Sequence, residues 1–320
     1  MKLEKRKIVI IGCGHVGVST AFCLINQGLC DEIALIDLNE EKVLGEVLDL
    51  SQSIEYMNRN THVKVGRYED CEDAQIVIIT ASVPTPQSGN DRLKMLEPSL
   101  NVMKSIITQI KEHHFDGHLI VVSNPVDLMS YYAYKLSGLP ANQVIGTGTT
   151  LDTARLKYFI AQKIQVDPRS VHAMVIGEHG DSEMIPWSTV RIGGKDIYSV
   201  VQDNQSRLGQ EPYQQMKKDT IQAGWEIFNR KGNTCYGIAS STVGIIRTIL
   251  HNENQILPVS TLLRGEYGQD DLFISVPAII DRSGVREIVE LRMTPQEQEE
   301  FNQSCQRLKS FYDLLYQWGL

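Results

Sequence analysis

The amino-acid sequence predicts an α/β protein, with a Rossmann-type doubly wound parallel sheet in its first half and an α+β unit in its second. Two observations predict this. In the first 150 residues, short apolar runs alternate with segments of helical period, and the runs are apolar at successive positions. Strands covered on both faces have that texture, and helices between them make parallel βαβ connections. After about residue 150 the pattern changes to glycine-punctuated short segments, helices and a pair of longer apolar runs.

The elements follow in order. KIVII at Lys7–Ile11 is a buried strand, and residues 16–28 carry Val18, Phe22 and Ile25 at helical spacing. Residues 33–36 read as a strand and residues 40–54 as a helix turning Val43, Val47, Leu50 and Ile54 inward. Val63 and Val65 make a short strand. QIVII (75–79) and HLIVV (118–122) are two more buried strands, with a long helix, Arg92–Glu112, between them. In the second half a helix over 151–162 leads to a strand over 171–176, then to short alternating segments in STVRIGG and KDIYSV. Helices over 212–229 and 238–250, antiparallel strands over 256–263 and 272–277, and a polar helix from about Pro295 complete the chain. No repeat or flexible linker separates the parts, which are placed at residues 1–146 and 147–320 and expected to pack closely.

The composition is that of an ordinary globular protein, 42% hydrophobic over 320 residues, long enough to bury a core without staples. Thirty-one Lys and Arg against 39 Asp and Glu leave a net charge of −8. That balance argues against nucleic acid as a partner, which calls for a basic face. An anionic small substrate needs only one or two placed arginines. No apolar run approaches the roughly 18 residues of a membrane span. The opening MKLEKRKIVIIGCG ends in glycines without a small-residue cleavage site, so it reads as a buried strand, not a signal peptide. Six cysteines show no CxxC or zinc-ligand spacing. No metal is expected, and reduced thiols in a cytoplasmic protein are.

Gly12, Gly14 and Gly17 stand in GCGHVG, directly after the first strand and directly before a helix. The first glycine permits the turn, the second lets backbone approach a pyrophosphate, and the third lets helix and strand pack closely. Asp37 follows Gly17 by 20 residues, at the end of the second strand. A carboxylate there accepts both ribose hydroxyls and repels a 2′-phosphate, which selects NAD. In this context the first half reads as a Rossmann-type NAD-binding domain. His15 and Val16 lie in the loop, His15 as a neighbour of bound phosphate rather than a catalyst. Thr80, Ala81 and Ser82 follow the 75–79 strand at the carboxyl edge, where such sheets bind ligands.

Among eight histidines, His179 stands out. It lies in GEHGD at the end of the 171–176 strand, and loops off strand ends carry catalytic groups. On spacing alone it reads equally as a satisfied loop histidine. His113, His114 and His118 read as solvated surface. Asp152 and Arg155, at i and i+3 in LDTAR, share one helix face. Taken singly, Asp152 complements a helix dipole and Arg155 is a solvated arginine. Together with His179 they form a unit in which Asp152 orients the imidazole. Arg92 closes a polar loop, residues 82–91, that suits a lid over a cofactor site.

These motifs together (GCGHVG with Asp37, TASVP…NDR, SNPVD at 123–127, VIGTGTTLDTAR at 144–155, IGEHGDSEMIPWS at 176–188 and KGNTCYGIA at 231–239) resemble the L-lactate/malate dehydrogenase family. The resemblance spans essentially the whole chain and is nearest to bacterial L-lactate and L-2-hydroxyisocaproate dehydrogenases. It implies His179 as proton donor and acceptor, Asp152 as its partner, Arg155 as a two-point clamp for a substrate carboxylate, and Arg92 as the group polarising the carbonyl. It further implies Asn124 and Thr234 at the substrate, Val122, Asn124 and Ile238 at the nicotinamide, and a cis peptide at Asn124–Pro125. Malate-type relatives carry an extra lid arginine, and here none lies between Ala81 and Asp91. The lid is one residue longer than the usual lactate type, so the specificity position falls on Thr85 or Pro86, with Gln87 beside them. Pyruvate and lactate are the default substrates, and bulkier 2-oxo acids, for which STVRIGG and the longer lid speak, are the alternative. Lys157 and His172 match an Arg–His pair that binds fructose 1,6-bisphosphate in bacterial relatives. The Lys keeps the charge and loses the planar fork, so activation stays open. Dimers or tetramers are implied, without the long N-terminal arm of the animal enzymes. A non-catalytic NAD-binding regulator, or a purely structural subunit, would need none of His179, Asp152, Arg155 and Arg92.

Overall fold

The computed structural model describes residues 5–83 and 92–317. Thr85, Pro86 and Gln87 lie outside them, and Arg92 is described only as the first residue of its helix. The first half runs β1 (Lys7–Ile11), α1 (His15–Gln27), β2 (Glu32–Ile36), α2 (Glu40–Ser53), β3 (His62–Val65), β4 (Ile76–Ile79), α3 (Arg92–Glu112), β5 (His118–Val121), α4 (Val126–Ser137) and β6 (Val144–Gly146). The second half runs α5 (Thr150–Ile164), β7 (Val171–His172), β8 (Arg191–Ile192), β9 (Lys195–Asp196), α6 (Ile197–Asp203), α7 (Gln205–Leu208), α8 (Pro212–Lys231), α9 (Tyr236–His251), β10 (Gln255–Arg264), β11 (Asp270–Asp281), β12 (Gly284–Ile288), α10 (Pro295–Lys309) and α11 (Tyr312–Gln317).

Among the described residues, one nine-stranded sheet is ordered β12-β11-β10-β6-β5-β4-β1-β2-β3. From β3 to β6 every pairing is parallel. The strands β1, β2 and β4 are buried at every position because helices cover both faces. The order reverses at β1 and β4, where an open parallel sheet leaves a crevice at its carboxyl edge. The second half does not build a wholly separate sheet. Its hairpin β10–β11 joins the first through Ser260 beside Gly146, antiparallel to β6. This continuity holds the two halves together.

Several elements depart from the sequence expectation, and β6 and β12 stand where it placed none. The strand over 171–176 is only β7, and Ile176 instead bridges Met184. KDIYSV does not alternate as strand: after β9 it turns into α6, because the Asp196 carboxylate accepts the amide of Ser199 at 2.9 Å and caps a helix. The helix α4 stands where the sequence reading placed no element, and its first eight residues, Val126 to Ala133, are all buried. A helix covered all round shows no polar stripe to reveal its period. His118 is also not a solvated surface residue: it is half-buried, and burial pushes its imidazole pKa down. No helix among the described residues is long and apolar enough to cross a membrane.

Candidate active site

The glycine loop forms a closed turn at the end of β1. Gly12 sits at φ +102°, and a Cβ there would fall 2.4 Å from the amide nitrogen of Ala81. A Cβ on Gly17 would fall 2.0 Å from the Gly12 carbonyl oxygen, so α1 packs on the loop only through glycine. Thr80 Oγ1 donates to that same Gly12 oxygen at 2.6 Å, which ties the end of β4 to the loop. Above Gly14 the space is open, and no side chain caps the N-terminus of α1. That is the clearance a pyrophosphate requires. The Asp37 carboxylate, at the end of β2, accepts from the amides of Cys13 at 2.7 Å and Asn39 at 3.1 Å, which fixes it beside the loop. His15 and Ser82 are exposed, while Val16 and Ala81 are half-buried. Val122 belongs to an apolar cluster against which Val16 and Ile238 also pack, so β5, α1 and α9 meet at this edge. These residues fit a dinucleotide.

The catalytic candidates come from separate elements. The His179 loop leaves the 171–176 segment and is pinned at both ends. Ile176 bridges Met184, and Gly177 exchanges backbone hydrogen bonds with Ser275 on β11 at 2.9 and 3.2 Å. The start of α5 is sewn to that segment: Thr149 Oγ1 donates to the Val175 oxygen at 2.6 Å, and the Val175 amide donates to Thr153 Oγ1 at 2.9 Å. This stitching sets Asp152 against His179. Nδ1 of His179 lies 2.6 Å from Asp152 Oδ2, and Nη1 of Arg155 lies 2.9 Å from Asp152 Oδ1. The bond to Asp152 commits Nδ1 as the donor and leaves Nε2 for a reactant.

The electrostatics follow from burial and pairing. Burial lowers the pKa of His179, but the charge and hydrogen bond of Asp152 more than offset it and raise the imidazole to about 9. Burial raises the pKa of Asp152, and His179 with Arg155 brings it net below its ordinary range. The Arg155 guanidinium lies along α8, where a Cβ on Gly224 would stand 3.3 Å from Nη2. Asn124 is exposed beyond β5, and the Asn124–Pro125 peptide is cis. Thr234 is half-buried just before α9. Lys157 is half-buried on α5, its pKa lowered by burial, and His172 is exposed at the end of β7.

Two site residues carried no recognised role at the sequence level. Asp127, buried in α4, accepts the backbone amide of His179 at 2.8 Å. Burial pushes its carboxyl up to about 6. Glu183, four residues after His179, is only 4% exposed, and among the described residues its Oε1 has no hydrogen-bond partner. Ligand-type atoms of Asp152, His179 and Glu183 lie within 4.8 Å of one another. Arg155 already pairs with Asp152 at 2.9 Å, and its positive charge next to the cluster disfavours a metal ion. An isolated acid in an irregular loop has no periodicity to betray it; only its distance from GEHGD could have suggested Glu183.

Comparison with known proteins agrees with this geometry. Residues 6–146 match the lactate/malate dehydrogenase NAD-binding domain, and residues 149–315 match the alpha/beta C-terminal domain of the same family. L-lactate dehydrogenase 3 of Bacillus thuringiensis subsp. konkukian is 46% identical over 311 residues, 97% of this chain and 98% of that protein. An L-lactate dehydrogenase of Lactococcus lactis subsp. cremoris is 46% identical over 309 residues, with the same coverage. The crystal structure of the minor L-lactate dehydrogenase from Enterococcus mundtii, in its ligands-bound form, superposes with a TM-score of 0.93 at 45% identity, covering 98% of this chain and 99% of that one. Matched by both family domains and by relatives along nearly their whole length, this chain belongs to the lactate/malate dehydrogenase family of NAD-dependent 2-hydroxy acid oxidoreductases.

Proposed function

We propose that this protein is an L-lactate dehydrogenase that interconverts pyruvate and L-lactate in the cytoplasm. The observation that carries the proposal is the Arg155–Asp152–His179 chain, closed at 2.9 and 2.6 Å. NADH, when bound, supplies the hydride that reduces the 2-carbonyl carbon. Arg155 holds the substrate carboxylate in a two-point clamp. Arg92 polarises the carbonyl when the 82–91 segment covers the site, and protonated His179 gives its proton from Nε2 to the carbonyl oxygen. Asp152 holds the imidazole upright and charged. Asn124 and Thr234 border the substrate; Val122 and Ile238 face the nicotinamide. In this reading residues 1–146 hold the dinucleotide and residues 147–320 carry substrate and catalysis.

Thr85, Pro86 and Gln87 set the choice of 2-oxo acid. The lid lacks a second arginine and is one residue longer than the usual lactate type, so a bulkier acid such as 2-oxoisocaproate is the second reading. Lys157 and His172 are proposed to receive a sugar bisphosphate. A homo-oligomer, a dimer or a homotetramer serving glycolysis, is proposed as well. Leu44 and Leu48 share one exposed face of α2, and Trp225, Ile227 and Phe228 are 40–49% exposed on α8, which supports burial against further copies. Steady-state NADH oxidation with pyruvate, 2-oxoisocaproate and oxaloacetate tests the substrate reading. Higher kcat/KM on 2-oxoisocaproate than on pyruvate would overturn it. His179→Asn with retained NADH binding and near-normal turnover would overturn the proton-donor role.

A further inference from the structure

We propose that Glu183 is a positioning residue of this site: a buried third acid that shares one titrating proton with His179 and, once ionised, holds the imidazolium in place at alkaline pH. The proposal rests on the functional reading above, in which His179 must be charged for reduction.

The geometry carries it. Two carboxyl groups, Asp152 and Glu183, face one imidazole within a space of 4.8 Å. Both are buried, at 2% and 4% exposure. Two neighbouring buried carboxylates do not both ionise cheaply, so one of them retains a proton. Asp152 is already satisfied by His179 and Arg155. Among the described residues Glu183 Oε1 has no partner, so the retained proton is assigned to Glu183. Burial and then the Asp152 charge push the Glu183 carboxyl up to about 9, the range to which His179 is raised. Among the described residues, few charged groups surround the pair. Asp152 and Arg155 face it from α5, and Lys217 faces Glu183 from α8 while pairing with Glu300 at 3.5 Å. Asp127 faces His179 from α4.

The consequence is a tautomeric pair. Below the transition the cluster holds charged His179 and neutral Glu183. The first proton lost on raising pH comes from either group, and loss from Glu183 leaves a carboxylate facing an imidazolium. Opposite charges at this spacing favour each other strongly, so that microstate resists losing its second proton. His179 therefore stays partly charged over a wider alkaline range than Asp152 alone would hold it.

The test is a titration of labelled histidine and glutamate side chains by NMR, with the protein saturated with NADH. His179 is assigned by the resonance missing in His179→Asn. In the wild type the His179 curve is expected to be wider than the roughly two pH units of a single group. In Glu183→Gln it is expected to narrow to one step, with its midpoint about one unit lower. Glu183→Asp is expected to restore the width. A merely structural role for Glu183 would lower the melting temperature and leave the His179 curve unchanged, and an unchanged curve overturns the proposal. Should the Gln variant fail to fold, the Glu183 side-chain carboxyl resonance of the wild type decides. It is expected to titrate together with His179, and titration near the ordinary glutamate value of about 4.3 overturns the proposal. The titration needs no turnover, so a wild type that fails to reduce pyruvate refutes the functional reading separately.

Discussion

Replacing Asp152 with Asn tests the centre of the site. The substitution keeps the shape and removes the charge that faces Nδ1 of His179 at 2.6 Å and Arg155 at 2.9 Å. In the intact site His179 is raised from an ordinary 6.5 to about 9. That difference is about 3 kcal/mol of preference for the imidazolium. Without Asp152, burial is opposed by the weaker pull of Glu183 and Asp127, and the imidazole falls toward its ordinary value. At pH 7.5 almost every His179 is charged in the wild type, and about a tenth or fewer in the variant. Pyruvate reduction, which in the proposed mechanism needs the imidazolium, is expected to lose at least about tenfold in kcat/KM at that pH. The alkaline midpoint should move down by about two units or more. The assay is the initial rate of NADH loss between pH 5.5 and 10.5. The sign also applies to stability. Because the folded pKa is raised, the pair's contribution is fully present below pH 6.5 and disappears as pH rises through 9. A variant whose alkaline midpoint stays near 9 would falsify the argument that Asp152 holds the proton on His179.

Three further outcomes are expected. Gly17→Ala drives a methyl toward the Gly12 carbonyl and should weaken NADH binding by more than about tenfold, read by fluorescence titration; unchanged affinity would show that the loop yields. Asp127→Ala leaves the His179 amide without its acceptor and should cost about 1–3 kcal/mol in chemical denaturation, with a fall in kcat. At the far end of the sheet, burial raises Glu32 and Asp70, but lysines more than compensate: Lys5 and Lys64 bring Glu32 to about 2, and Lys64 and Lys7 bring Asp70 to about 2. Folded pKa values so depressed contribute stability above pH ~4 that is lost as pH falls toward 2. Thermal melts from pH 5 to 2 should show that loss, and Lys64→Met should flatten it.

The parallel half of the fold was legible because its signals are local. Runs such as KIVII and QIVII are buried on both faces, and a glycine triplet between strand and helix has one conformational use. The elements that escaped are those whose character depends on what covers them. Helix α4 is enclosed on every side, so it shows no face, and β6 is three residues long, recognisable only between β5 and β10. The turn of KDIYSV into helix rests on a single cap at Asp196.

The site divides in the same way. Chain order and residue type marked the glycine loop with Asp37 and raised His179, Asp152 and Arg155 as candidates, and the family resemblance carried by long motifs such as LDTAR and GEHGD supplied the roles of those three. What only the tertiary structure decided is how these groups act on one another. The stitching of α5 to the 171–176 segment through Thr149 and Thr153 brings Asp152 within 2.6 Å of His179, and that contact moves the expected midpoint from near 6.5 to about 9. Asp127 and Glu183 enter the site for the same reason. A pKa is set by distance and burial, and the sequence carries neither until the chain has folded.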